Sequence, residues 1–120
     1  VAAGGVYVIA HPSADASILA EADYQFRYLS NGDDGFKLVK GTESSFTVID
    51  VIGDWQGDPG SGWDVAGTNN GTKDRTLVRK ASVKQGNSDW DSSRGTSESD
   101  SEWIVYPQNT WTYLGSHTTD

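Results

Sequence analysis

Several residue types are missing or scarce in this chain of 120 residues, and each shortage narrows the functions open to it. There is no cysteine, which excludes disulfide bonds, cysteine metal sites and cysteine nucleophiles. There is no methionine, which indicates an excised or processed piece of a translated chain. Positive charge is scarce, and the net charge of -8 disfavours nucleic acids and anionic membrane surfaces as partners. No apolar run approaches ~20 residues, so no membrane insertion is predicted.

The residues that are present predict a single small domain with a thin core. Hydrophobic residues make up only 35% of the chain, but aromatic residues make up 11% and include 5 tryptophans. Large rings supply the burial that a polar chain otherwise lacks, so the chain is expected to fold. The length fits one domain over residues 1–120.

Short β-type runs between turn residues predict an all-β fold with long Gly/Asp-rich loops and one short helix. The expected strands are residues 6–10, 24–28, 36–39, 46–52, 75–80, 103–106 and 110–114. The helix is expected over residues 14–22 with Ser13 as its cap, and Gly53 to Thr72 is expected to be a long loop. The expected core consists of residues 6–9 with Phe36, Leu38, Ile49, Val51, Leu77, Trp90 and Trp103.

A set of motifs resembles the lamin-tail domain family in its secreted bacterial form. The motifs, in order, are Gly5-Val-Tyr-Val-Ile-Ala10, Asn31-Gly-Asp-Asp34, Val48-Ile-Asp50, Thr76-Leu77-Val78-Arg79-Lys80, Asn87-Ser-Asp-Trp90 and Asp100-Ser-Glu102-Trp103. The resemblance covers nearly the whole chain. It implies an immunoglobulin-like β-sandwich that serves as an accessory module without catalytic residues of its own.

The opening strands of that family have no counterpart here. Proteins with the lamin-tail pattern usually begin with a Glu-containing strand and a Leu-Ser-Gly-Trp-like strand, whereas this chain opens on Val1-Ala-Ala-Gly-Gly5. Three explanations stay open: the strands were left out of this sequence, another chain supplies them, or the domain has diverged and closes by itself. A strand supplied by another chain would link subunits through an exposed sheet edge.

A glycan site is one candidate for the ligand-binding surface. The Gly-rich loop combines Trp55 and Trp63 with Asp58 and Asp64, the four residues expected to contact a glycan, and it also carries Asp54. Flat rings stack on sugar faces and carboxylates accept hydrogen bonds from hydroxyls, so this set predicts contact with polysaccharide. The alternative is that both rings pin the loop onto the core.

Calcium is the other candidate ligand, and no other cofactor is expected. Asn87, Asp89, Asp91 and Glu98 stand at positions one, three, five and twelve of an EF-hand-like loop. The glycine that such a loop needs is replaced by Ser92, so a solvated loop that holds Trp90 is the alternative. Glu98, Asp100 and Glu102 alternate and would share one side of an extended chain.

Catalysis is not expected. The two histidines, His11 and His117, lie at opposite ends of the chain, and no nucleophile motif has its required setting. Asp50 follows a predicted buried strand, and we expect it to pair with Arg79 in a structural role.

These observations predict a non-catalytic, secreted or cell-surface bacterial module for attachment or structural assembly. Its partner would be another protein or a second copy, bound through exposed strand edges. The alternatives are a carbohydrate-binding module of a secreted enzyme and a calcium-stabilised spacer beside a nuclease or phosphatase.

Overall fold

The computed structural model describes residues 1–120, and strands predominate in it over two short helices. In chain order the elements are β1 (Ile9–Ala10), α1 (Ala16–Leu19), β2 (Tyr24–Gln25), β3 (Phe36–Thr42), β4 (Ser45–Ile52), β5 (Arg75–Arg79), α2 (Trp90–Arg94) and β6 (Trp103–Pro107). Neither helix has the length and apolar character that crossing a membrane would require.

The strands form three separate pairs. β1 and β2 are parallel, whereas β3–β4 and β5–β6 are antiparallel. The expectation of a strand-rich fold is confirmed. The pairs do not join into two continuous sheets, so the immunoglobulin-like sandwich stays a prediction.

The β3–β4 hairpin is the longest regular element. The strands meet at Thr42 and Ser45, so the turn lies at residues 43–44, just beyond the Gly41-Thr42-Glu43 turn expected from the sequence. The register shifts between Leu38 and Val39, where Ile49 is the unpaired extra residue of a β-bulge in β4. Every residue of β3 is exposed, whereas Val51 on β4 is buried.

The helices differ from the prediction in number and extent. α1 covers only the middle of the expected helix, and its cap is Asp15, which accepts a hydrogen bond from the Ser17 N–H, rather than Ser13. α2 was not predicted. Its cap is Asp89, whose side chain accepts from the Ser92 N–H, and its C-terminal end is Gly95 at a φ of 63°.

The core is small and lies around three tryptophans. Only 14 of the 120 residues are buried, and the main cluster comprises Val51, Trp63, Val65, Ala66, Trp90 and Trp103. The rings of Trp63 and Trp90 meet edge to face at 6.5 Å. Burial of Val51, Trp90 and Trp103 confirms part of the expected core, and Leu77 packs against the cluster from outside.

Other parts of the expected core are wrong. Phe36, Leu38 and Ile49 are exposed, and of residues 6–9 only Val8 is buried. These side chains occupy apolar positions of strands as predicted, but no layer of the chain covers them. The expected last strand at residues 110–114 is also wrong, because that segment forms a turn closed by the Leu114 N–H and the Trp111 carbonyl.

The Gly-rich segment 53–72 has no helix or strand, as predicted, but it is not a surface loop throughout. It turns inward and contributes Trp63, Val65 and Ala66 to the core. The Thr72 hydroxyl accepts from the Trp63 N–H at 2.8 Å and donates to the Gly32 carbonyl at 2.6 Å. Gly71 lies against Val65, where an added Cβ would come within 2.9 Å of the valine Cβ.

Candidate functional site

A groove of about 460 Å³ runs between β3, residues 53–56 and residues 88–91. We call it the Trp55 groove. Its polar wall carries Lys37, Asp54, Gln56, Ser88, Asp89 and Asp91, and its apolar wall carries Val51, Trp55 and Trp90. The volume lies within the ~300–1,000 Å³ range of small-molecule sites.

Local hydrogen bonds fix the carboxylates of the groove. One oxygen of Asp54 accepts from the Gln56 N–H at 2.9 Å, and one oxygen of Asp89 accepts from the Ser92 N–H. Asp91 accepts from the Arg94 guanidinium at 2.8 Å. Each bond uses the Oδ1 atom, so the three Oδ2 atoms have no hydrogen-bond donor from the chain.

Trp55 is the exposed aromatic residue of this groove. Its side chain is 63% exposed, and the Lys37 ammonium lies 4.8 Å from the ring centroid. Trp90, on the same wall, is only 5% exposed, and its indole N–H is buried away from solvent. The groove therefore combines an exposed ring, exposed carboxylate acceptors and one ammonium donor.

The structure does not bring the four predicted glycan-binding residues together on one face. Trp63 is 7% exposed, and its indole N–H donates to the Asp34 carbonyl at 3.3 Å, so neither face of its ring is open for stacking. Asp58 accepts from the Gly60 N–H and Asp64 from the Asn70 N–H, each at 2.9 Å. Both aspartates close turns in the Gly-rich segment, and only Trp55 lies in the groove.

The predicted calcium ligands do not converge. No group of three or more His, Cys, Asp or Glu side chains in the molecule could hold a metal ion. Asn87 donates to Ser92 and Glu102, Asp89 caps α2, and Asp91 pairs with Arg94. The twelve-residue spacing is wrong as a calcium loop because α2 and the following turn fold its ligands into separate local contacts.

Arg79 lies at the centre of an ion-pair network that joins β4 to the β5–β6 pair. It pairs with Asp50 at 2.7 Å and with Glu102 at 2.6 Å, and the guanidinium carbon lies 4.5 Å from the Trp103 ring centroid. Burial lowers the pKa of Arg79, but hydrogen bonds and charge from Asp50 and Glu102 outweigh it and raise the pKa overall. The predicted Asp50–Arg79 pair is confirmed; Glu102 was not predicted to join it.

Asp100 closes a tight turn rather than sharing a side with Glu98 and Glu102. Its carboxylate accepts from the N–H groups of Ser97 and Thr96 and from both hydroxyls. The Ser97 N–H is the largest of the causes that lower the pKa of Asp100 from 3.8 to about 2. The expected row of three carboxylates is therefore wrong, because residues 96–100 are not extended.

A second candidate surface is apolar and lies on the β3–β4 hairpin. Phe36 and Leu38 project from one face of the hairpin, while Val39 on β3 and Phe46 on β4 project from the other, and all four are exposed. Next to it, Leu29, Phe36, Ile52 and Leu77 line an apolar cleft of about 280 Å³. We call the exposed residues Phe36, Leu38, Val39 and Phe46 the hairpin surface.

The outer edge of β3 has no partner strand. Residues 36–42 make no backbone hydrogen bonds outside the β3–β4 ladder. The outer edge of β4, by contrast, is covered where the Val51 N–H donates to the Asn87 carbonyl at 3.2 Å. Apolar alternation in β3 was visible in the sequence, but the sequence carried no signal that this strand lies at an open edge.

Comparison with known proteins gives no relative: no family model, curated protein or solved structure matches the chain. The resemblance to the lamin-tail family stays a prediction.

Proposed function

We propose that this chain is a non-catalytic assembly module, secreted or held at a bacterial cell surface, that associates with a second copy through the hairpin surface. A strand of the second copy would add to the open edge of β3. The added layer would complete a sandwich of the kind that the lamin-tail resemblance implies. The observation that carries the proposal is the amount of surface that the single chain leaves exposed.

The exposed area is large for the mass of the chain. A folded monomer of 12.9 kDa is expected to expose about 6,300 Å², whereas this chain exposes 8242 Å². The difference of about 1,900 Å² per copy lies in the range that obligate homodimers bury. Association of two copies would bring the exposed area close to that of an ordinary folded protein.

The chemistry of the excess surface fits a protein partner. The hairpin surface offers aromatic and aliphatic side chains of the kind found at interface centres. β3 offers unpaired backbone groups that an added strand can bind. Lys37 and Lys40 on β3 oppose pairing in any register that places lysine against lysine, so they favour one alignment of the two copies.

Light scattering after gel filtration tests the proposal. We expect a native mass at least twice 12.9 kDa. The change Leu38→Asp places a charge on a side chain that is 62% exposed, so it should return the mass to that of a monomer without unfolding the chain.

Ser82→Asp is the matched control, because it adds the same charge on an exposed turn away from the hairpin. We expect it to leave the native mass unchanged. A wild-type chain that is monomeric at high concentration and unfolds cooperatively would contradict the proposal. Monomers from both variants would also contradict it, because net charge rather than the hairpin surface would then control association.

A further inference from the structure

We infer that the Trp55 groove is a binding site for a neutral, hydroxyl-rich ligand, namely an uncharged oligosaccharide. The site is distinct in composition from the pair of tryptophans expected from the sequence, and Lys37 is the one residue that it shares with the β3 edge of the proposed assembly. It joins residues 54–56 of the Gly-rich segment to residues 88–91 at the start of α2.

The arrangement of polar atoms selects the class of ligand. The Oδ2 atoms of Asp54, Asp89 and Asp91 can only accept hydrogen bonds, and none receives one from the chain. The Lys37 ammonium of the same groove can only donate. A ligand that binds both kinds of group must donate and accept, which is the property of a hydroxyl group.

Charge excludes the two other ligand classes. Asp91 is paired with Arg94, which leaves the carboxylates of Asp54 and Asp89 beside the ammonium of Lys37, so an anionic chain would be repelled. A cationic group would be repelled by Lys37, and it has no lone pair to offer that ammonium. An uncharged polyol avoids both penalties.

Trp55 supplies the apolar contact that hydroxyls alone do not give. Its ring is 63% exposed at the mouth of the groove, and an indole gives a large, rigid, amphipathic contact area. The faces of a pyranose ring carry C–H groups that pack against such a ring while the hydroxyls at the rim reach polar groups. Gln56 and Ser88 line the same groove, and their side chains make no hydrogen bonds within the chain, so they are further partners for hydroxyls.

Tryptophan fluorescence titration with cellohexaose, maltohexaose and laminarihexaose tests this inference. We expect a saturable change with at least one of these neutral oligosaccharides. Trp55→Ala should weaken that binding about tenfold or more, since it removes the stacking surface. Isothermal calorimetry on the same variant keeps the test valid if the fluorescence signal itself comes from Trp55.

Trp111→Ala is the matched control, because Trp111 is also exposed, at 40%, and lies outside the groove. We expect it to bind as the wild type does. Gln56→Ala, which removes an exposed side chain, should weaken binding while leaving the melting temperature unchanged.

Three results would overturn the inference. They are the absence of saturable binding to all three oligosaccharides, undiminished binding by Trp55→Ala, and binding of only polygalacturonate or poly-lysine. Leu38→Asp should bind the oligosaccharide as the wild type does, so a failure of the assembly proposal would not affect this result.

Discussion

Asp100 shows how a single exposed side chain can order a turn. Its carboxylate accepts four hydrogen bonds from Thr96 and Ser97, each of which favours the charged form. Next to it, Gly95 has a φ of 63°, and an added Cβ there would come within 2.5 Å of the Asp100 carboxylate. The turn that leads from α2 into β6 therefore depends on an ionised aspartate beside a glycine.

The charge of Asp100 should make the stability of this turn depend on pH. Its pKa in the folded chain is about 2, below the ordinary 3.8. The stabilising contribution is therefore complete above pH 3.8 and is lost as the pH falls towards about 2. We expect Asp100→Asn to lower the urea midpoint at pH 7 and to have little effect near pH 2.

Glu98→Gln is the control, because it also removes one negative charge and the Glu98 carboxylate makes no hydrogen bonds within the chain. Equal effects of the two variants at pH 7 would show that net charge, and not the turn, is responsible. An NMR titration that placed the pKa of Asp100 at 3.8 or above would contradict the structural explanation directly.

The sequence predicted individual contacts better than it predicted burial. The Asp50–Arg79 pair was predicted because the acid ends one strand and the base lies on another. The structure confirms that pair. Phe36 and Leu38 were expected in the core as apolar residues of a predicted strand, but both are exposed. Alternation identifies an apolar face, but only tertiary packing decides if anything covers it.

At the scale of elements, ion pairs rather than a continuous sheet join β4 to the β5–β6 pair. Asp50 lies on β4, Arg79 on β5, and Glu102 directly before β6. The Asn87 amide and N–H add hydrogen bonds to both acids, so the segment before α2 is bound to the same centre. Removing the cation would leave two partly buried carboxylates facing each other.

We expect Arg79→Met to lower the free energy of unfolding by about 2–3 kcal/mol, below the 3–5 kcal/mol for a fully buried pair, because the network is partly exposed. Urea unfolding at fixed protein concentration measures this. Arg75→Met on the same strand is the control, since Arg75 only hydrogen-bonds the Asp74 carbonyl. Similar losses from both variants would contradict a structural role for the network.

The positions of the strands were easier to predict than the helices or the pairing of the strands into sheets. β-branched and aromatic runs located β3, β4, β5 and β6 within a few residues. α2 was missed because the segment from Asn87 was interpreted as a loop, either solvated or calcium-binding, whereas Asp89 followed by Ser92 is a capping pattern. In the Trp55 groove, Trp55 was found from the sequence, but Lys37 and Ser88 are distant in the chain and only folding brings them together.

At the scale of the whole molecule, two opposing forces act on association. The hairpin surface favours contact between copies, while a net charge of -8 on each copy opposes their approach. Repulsion between exposed charges weakens with salt, because the screening length falls from ~14 Å at about 50 mM to ~4 Å at about 500 mM. Apolar contact is not screened in this way.

We therefore expect higher salt to strengthen self-association, measured as the sedimentation coefficient across a sodium chloride series at one protein concentration. Sodium acetate at matched ionic strength is the control for anion-specific effects. Association that weakens as salt is added would contradict this prediction, because it would mean that opposite charges hold the copies together.

The position of the core residues in the sequence also decides how long the nascent hairpin lacks a core during translation. All six residues of the core cluster lie between Val51 and Trp103. The β3–β4 hairpin is therefore translated before nearly all of the core residues against which it packs. At ~5–20 residues per second, about 3 to 10 s separate the translation of Val51 from that of Trp103. During that interval the nascent chain carries Phe36, Leu38 and Phe46 with no tryptophan cluster to anchor the hairpin. Chaperone binding during translation should therefore concentrate on the first half of this chain.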